Sequence, residues 1–381
     1  MAEPARILTS GSSGEILNVE TDYEQVDGLD AAVRDLVLNA QGDPRFTSNI
    51  VYVPVPPTYY YRPSLFTSNK TSVTIPAQTK VVVNGKLYVA QENMTVTMPY
   101  SASAVAGKDV YIYAVYTANS DSTIPKFVLS KESTYPAGYS ATTSRKIGGF
   151  HCLCNSVGTV SGHALSGYIT GDIIPASRWD LKHRPYSNPE GMVYCEDLNI
   201  WVDIYLDSVA GGQLVSVYGG NIADGTSTEK FHWYKFANWL GKIGKRMPTL
   251  HEFMTFSIGT PLQTAINGGE DPGSTGGHIA AASGNPRIIS DIGCEDCCGV
   301  QSQWGAEAGG PYDANSNKYK AAYDANDDAE NYGQVYWEPY RCQLGGWYNW
   351  GSYSGTRCNH WNNGPLTLGA AVRGVSKHKA C

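Results

Sequence analysis

Nine cysteines, three of them in the run Cys294-Glu295-Asp296-Cys297-Cys298, are the residues with the most reactive chemistry in this chain. CxxC spacing serves metal binding or dithiol exchange, but a zinc site needs four ligands at paired spacing. No second CxxC is present, so buried or loop thiols are the simpler reading and no metal is assigned. His151 precedes Cys152 and Cys154 and reads as a structural histidine sooner than a ligand. Cys342 and Cys358 flank an aromatic stretch, where a disulfide would staple the loop between them. The odd count leaves at least one thiol free or paired between chains.

Two further spacings carry chemistry. Thr249 to Glu252 fits a capping box, in which the Thr hydroxyl takes the Glu252 backbone N–H and the Glu252 carboxylate returns to Thr249. A general-base role for Glu252 needs more assumptions than the cap. Asp324-Ala325-Asn326-Asp327-Asp328 spaces its oxygens as a calcium loop does, but the required Gly and distal Glu are not at EF-hand positions. A solvated acidic loop is the plainer reading.

The densest signal is aromatic. Tyr332, Tyr336, Trp337, Tyr340, Trp347, Tyr348, Trp350, Tyr353 and Trp361 place nine aromatics in 30 residues, in a chain that is 11% aromatic overall. Arg357 is the sole ionised side chain between Gln343 and Val372, and Gly, Ser and Asn fill the gaps. Rigid aromatic anchors among small hydrogen-bonding residues are the composition of an antibody paratope. A catalytic pocket more often shows clustered titratable groups. The segment reads as a grip for another molecule.

These residues must be positioned by a frame. At 381 residues the chain suits two or three domains. Low charge, 41 Gly and 26 Tyr favour a turn-rich, β-leaning protein. A net charge of -7 argues against nucleic acid as partner. No apolar run approaches the roughly 20 residues that span a bilayer, and Met1-Ala2-Glu3-Pro4 does not open a signal peptide. The chain is therefore expected to be soluble, made in a cytoplasm and not inserted into membranes.

Residues 1–62 read as a separate module with brief strands at Ile7-Leu8 and Glu15 to Val19 and a helix from Asp30 to Asn39. Val53-Pro54-Val55-Pro56-Pro57 is a stiff connector. Residues 63–170 read as a β-sandwich, with Asn84-Gly85 as a two-residue hairpin turn and a long strand at Val110 to Tyr116 whose alternate tyrosines cover a sheet face. Residues 171–381 form the last domain, with strands near Val193 and Trp201, an amphipathic helix from Phe231 to Leu240, then the capping box. The expected class is α+β.

Several motifs, in order along the chain, carry a resemblance. Arg246-Met247-Pro248-Thr249 with Glu252-Phe253 resembles the helix signature of the formylglycine-generating-enzyme branch of the C-type lectin fold. Leu344-Gly345-Gly346, Ser354 to Arg357, Trp361, Gly364-Pro365 and Arg373-Gly374-Val375 follow the order of the variable proteins of diversity-generating retroelements. Val83 to Leu87, Thr97-Met98-Pro99, Arg145 to His151, Ser177 to Lys182, Arg184-Pro185 and Gly191-Met192 extend the likeness upstream, so that it runs from about residue 70 to the end.

That resemblance implies a C-type lectin fold over 171–381, with a diversified binding segment at about 345–372 and no cofactor. It implies a homotrimer at a viral or phage tail-fibre tip, binding a host surface receptor of protein nature, or alternatively display on a cell surface. Such retroelements miscopy template adenines, so variable positions derive from Asn-type codons. Tyr348, Asn349, Tyr353, Asn359, His360, Asn362, Asn363, Leu366 and Leu368 are reachable from one; Trp347, Trp350 and Trp361 are not. Trp347 and Trp350 nonetheless join the expected ligand-binding set. Gly345, Gly346, Gly355, Arg357, Gly364, Pro365 and Arg373 fall in the scaffold, with Arg357 expected to pin the loop.

Three alternatives stand beside it. Lectin-fold cores are Trp-rich, so Tyr348 and Trp361 also suit a core. A formylglycine-generating-type oxidase needs a reactive thiol pair, for which Cys342 and Cys358 are the candidates. A calcium-dependent sugar lectin needs EPN or WND motifs, which Trp337-Glu338-Pro339-Tyr340 does not provide.

Overall fold

The computed structural model describes residues 59–116, 124–226, 230–309 and 340–379, together with the backbone of four strands elsewhere. Two compact units divide the chain, Met1–Pro54 and Val55–Cys381. In the first, β1 (Ala5–Leu8) pairs antiparallel with β2 (Ile16–Val19), where the sequence predicts its two brief strands. The helix expected at Asp30 to Asn39 and the acidic run at Asp324 to Asp328 lie outside the described residues.

The second unit begins with short strands: β3 (Tyr60–Tyr61), β4 (Thr67–Ser68), β5 (Ser72–Ile75), β6 (Lys80–Val83), β7 (Lys86–Val89) and β8 (Met94–Thr97). They form two antiparallel sheets, β3-β6-β7 and β4-β5-β8. Asn84 and Gly85 join β6 to β7 with φ of 52° and 71°, the double positive φ whose twist matches the flanking strands. After the single turn α1 (Ala102–Val105) come β9 (Asp109–Val115), β10 (Lys126–Ser130), β11 (Ser144–His151) and β12 (Trp179–Asp180), ordered β10-β9-β11-β12. Val73, Ile75, Val81, Val110, Ile112, Phe127 and Phe150 fill one core among these sheets. The other face of β9 presents Tyr111 and Tyr113 to Trp179, Met192 and Trp201. Alternate tyrosines thus cover a sheet face, as their period of two requires.

The remaining chain opens with the hairpin β13 (Met192–Cys195) and β14 (Ile200–Asp203), then β15 (Asp207–Ala210) and β16 (Gln213–Ser216). Helix α2 spans Trp233–Lys242, two residues later than the apolar spacing predicts, because His232 serves as N-cap and accepts from Lys235 N. Helix α3 spans Leu250–Phe256, and its capping box is complete: Thr249 Oγ1 accepts from Glu252 N at 3.2 Å and Glu252 Oε2 from Thr249 N at 2.8 Å. Arg246 clamps the same carboxylate at 2.8 and 2.5 Å, so Glu252 is committed to a structural role.

Strands β17 (Gln303–Gly309), β18 (Tyr319–Ala321), β19 (Gln334–Tyr336), β20 (Tyr340–Leu344) and β21 (Asn359–Asn363) follow. β18 pairs with β19, and a separate sheet runs β17-β20-β21. The last strand, β22 (Val375–Lys377), returns to the free edge of β14. Leu153, Val157, Leu165, Val202, Ile204, Tyr205, Phe253, Phe256, Leu344 and Val375 build the core here, which therefore draws on residues well before position 171.

Cys294, Cys297, Cys298 and Cys342 belong to that core. They pack as small apolar side chains, and all eight described cysteines are free. The disulfide weighed between Cys342 and Cys358 is not formed. His151 is buried and structural, bonded to Asp109 Oδ1 at 3.1 Å and Tyr205 Oη at 3.0 Å.

Candidate binding face

The aromatic segment hangs from the end of β20, the central strand of its sheet. Gly345 and Gly346 leave β20 with φ of 86° and 85°, a left-handed conformation that favours glycine. Space demands it as well: a Cβ on Gly345 would lie 2.4 Å from the Cys297 carbonyl oxygen, and one on Gly346 2.7 Å from that of Tyr353. The loop then closes on itself. Trp350 N donates to Trp347 O at 3.0 Å, Tyr353 N to Trp350 O at 3.1 Å, and Gly355 N to Gly345 O at 3.2 Å. Gly345 N donates to Cys358 O at 2.9 Å, and Gln263 N ties Ser354 O to the neighbouring loop at 2.8 Å.

Downstream, β21 pairs with β20, and the turn at Gly364-Pro365 is held by Trp233 N donating to Pro365 O at 2.9 Å. Gly369 N donates to Asp224 O at 2.7 Å and Ala371 N to Ser302 O at 2.8 Å. Backbone groups outside 345–369 thus fix the segment at both ends.

On this frame the predicted residues divide into two kinds. Asn349, Tyr353, Asn359, Leu366 and Leu368 are exposed, Tyr353 at 76%. Trp347, Tyr348, Trp350, His360 and Asn363 are half-buried. Asn362 lies in β21, and its side chain is outside the description. The half-buried rings form a chain of edge contacts: Tyr348 to Trp347 at 5.0 Å, Trp347 to Trp350 at 6.3 Å, and Trp350 to His360 at 5.0 Å. Edge-to-face stacking suits the ring quadrupole. Asn363 Nδ2 donates to Gln343 Oε1 at 3.0 Å, and Trp361 Nε1 to Asn359 Oδ1 at 2.7 Å. Trp361 packs partly against the core.

Among the scaffold residues, Gly345, Gly346, Gly355 and Pro365 are buried, and Gly364 is half-buried. Arg357 is exposed, whereas Arg373, just after the segment, is fully buried. Its guanidinium donates to Gln303 Oε1 at 3.1 Å, Asp203 O at 2.6 Å and Ile204 O at 2.5 Å, and to the Glu295 carbonyl. Five rigid N–H donors match that ring of carbonyls as no other side chain would. Composition and spacing gave no sign of Gln301 or Gln303, both buried: a single Gln has no periodic signature, and its role depends on what the fold brings within reach.

Burial pushes the Cys342 thiol up to about 12, with Glu307 adding to the effect, and burial also raises Cys358. Both therefore stay protonated at neutral pH, the reverse of the activated thiol that the oxidase alternative requires. Among the described residues no group of three or more His, Cys, Asp or Glu is arranged to hold a metal ion, and no helix is long and apolar enough to cross a membrane.

Comparison with known proteins adds independent information. Residues 63–180 match the family described as the Mtd second domain. Over 334 residues the chain is 33% identical to the tail fiber receptor-binding protein of Bordetella phage BPP-1, covering 82% of this chain and 81% of that protein. Solved structures of the U1 and I1 variants of the Major Tropism Determinant are similar at TM-score 0.71 and 31% identity, covering 85% of this chain and 87% of theirs.

Proposed function

The chain belongs to the tropism-determinant family, and from that premise we propose that it is a phage receptor-binding protein whose contact surface is the aromatic face at residues 345–369. The observation that carries this reading is the combination of outward side chains with a backbone fixed from elsewhere. Substitution is tolerated where a side chain meets solvent and its removal leaves no cavity. Asn349, Tyr353, Asn359, Leu366 and Leu368 satisfy that condition. The half-buried Trp347, Tyr348 and Trp350 supply the rigid aromatic area from which hot spots are made.

In this proposal Tyr348, Asn349, Tyr353, Asn359, His360, Asn362, Asn363, Leu366 and Leu368 are the positions diversified by a retroelement. The C-terminal region has the C-type lectin fold, and the β-sandwich and N-terminal module serve trimer contacts and attachment to the particle. Three copies of one face would convert weak single contacts into firm attachment through avidity. The partner is a host surface receptor, of protein nature, and the protein resides on the virion at a tail-fibre tip.

The test is adsorption of the purified protein to whole cells of a bacterium that the parent phage infects. Tyr353→Ala should reduce adsorption about tenfold or more, equivalent to one well-placed anchor, with the melting temperature unchanged. Undiminished adsorption by Tyr353→Ala and by a Trp350→Ala/Tyr353→Ala double variant would place the receptor contact elsewhere.

A further inference from the structure

Gln301 lies outside the aromatic segment and is 2% exposed. Its amide is used at both ends. Oε1 accepts from Trp347 Nε1 at 2.7 Å, and Nε2 donates to Gly369 O at 2.8 Å with Asp224 Oδ2 at 3.4 Å. Asp224 in turn holds the following turn, its Oδ1 accepting from Thr226 N at 2.8 Å and Thr226 Oγ1 at 2.7 Å. The same neighbourhood supports the aliphatic end of the face: a Cβ on Gly225 would lie 2.9 Å from Leu368 Cδ2. Trp347 itself sits beside the backbone of Val300 in an isolated parallel bridge.

We propose that Gln301 is the positioning residue that registers the aromatic half of the binding face (residues 347–353) against its aliphatic half (residues 366–369). Trp347 and Gly369 are separated by the whole of β21 and two turns, so local structure alone does not fix one against the other. An amide, with an acceptor oxygen and an NH2 of two donors on one planar group, can serve an indole N–H and a backbone carbonyl at once. Glu at this position would present two acceptors to the Gly369 carbonyl, and Leu or Met would leave both partners unpaired in a buried place, which costs more than an exposed loss. A fixed residue beneath a changing surface explains how exposed positions are exchanged while the anchors keep one arrangement. The proposal rests on the receptor-binding reading for its purpose, but not for its test.

The test uses the full chain without any receptor. The protein is labelled with 5-fluorotryptophan, the Trp347 fluorine line is assigned by Trp347→Phe, and hydrogen–deuterium exchange is followed across residues 366–369. In Gln301→Leu the Trp347 line should shift or broaden, and exchange over 366–369 should rise about tenfold, while β9 to β11 keep their protection. An unchanged Trp347 line with unchanged exchange overturns the proposal. So does a uniform loss of protection throughout the chain, which would mark Gln301 as ordinary core. If Gln301→Leu does not fold, Trp347→Phe decides: a severalfold rise confined to 366–369 supports the coupling, and no rise refutes it. Failure here leaves the Tyr353 adsorption test untouched, so the two ideas fall separately.

Discussion

Tyr113 and Tyr353 are the same residue type, each in a tyrosine-rich stretch, and they have opposite fates. Tyr113 is 0% exposed, on a strand whose alternation turns it toward Tyr111, Trp179 and Trp201, and its hydroxyl donates to Glu132 O at 2.7 Å. Tyr353 stands at 76% exposure on a short turn between Gly351 and Gly355. One ring is held by an element with a period, the other by a loop whose shape is set by glycines and by carbonyls from distant segments. An aromatic residue becomes structure when its backbone repeats and its neighbours can enclose it. It becomes a contact when the backbone is rigid but encloses nothing.

That contrast can be broken experimentally, most strongly in the core. Tyr113→Ala should cost about 3–5 kcal/mol, as for a fully buried aromatic, and Arg373→Met about as much, since it takes the guanidinium donor from the buried carbonyls of Asp203 and Glu295 and from Gln303 Oε1. Denaturant titration reads both, and a loss under about 1 kcal/mol for Arg373→Met would show that these bonds add little to stability. Gly346→Ala should cost about 1–3 kcal/mol, because a left-handed residue gains a Cβ that meets the Tyr353 carbonyl. A neutral result there would mean that the loop has freedom to move.

A pH effect of intermediate size should come from a separate cluster around His183 and His378. Burial, with His378, Arg62 and Arg178 nearby, lowers His183 to about 4, and burial also lowers His378. The two rings lie 4.8 Å apart, packed with Tyr194 and Trp201, and Trp201 Nε1 donates to His378 Nδ1 at 3.1 Å. The folded state therefore favours neutral histidines, whereas the unfolded chain takes up protons below about 6.5. Stability should be flat above that pH and fall as pH drops toward 4. Calorimetry at pH 7.5, 5.5 and 4.5 checks this, and His183→Gln should flatten the slope. The smallest effect is the other pole of the comparison: Tyr353→Ala should change stability by less than about 0.5 kcal/mol. A larger loss would make Tyr353 a packing residue.

The elements that local chemistry controls were legible in the chain. Asn84-Gly85 announces its hairpin, Thr249 and Glu252 their cap, and the tyrosines of β9 their sheet face, because each depends on residues within a few positions of one another. The aromatic density at 347–361 was legible too, and the structure holds Trp347, Tyr348 and Trp350 half-buried with Tyr353 exposed. Less legible were the supports of that segment. Arg357 and Arg373 both read as scaffold, yet Arg357 is exposed while Arg373 is buried, because only folding brings Asp203, Ile204 and Glu295 around the latter. The Cys294 to Cys298 run read as buried or loop thiols and lies in the core, but only the fold shows its Cys297 carbonyl forming the floor against which Gly345 must lie.

Sequence alone determined the family, the alternation of strands and caps, and the aromatic density of the segment after β20, all of which follow from short-range patterns. Tertiary structure decided which rings are half-buried and which are exposed, and it placed Gln301 against Trp347 and Arg373 among the carbonyls of Asp203, Ile204 and Glu295. Those outcomes depend on hydrogen bonds between segments tens to well over a hundred residues apart, such as the 170 separating Asp203 from Arg373. Side-chain type does not encode such distances; they exist only once the chain has closed on its core.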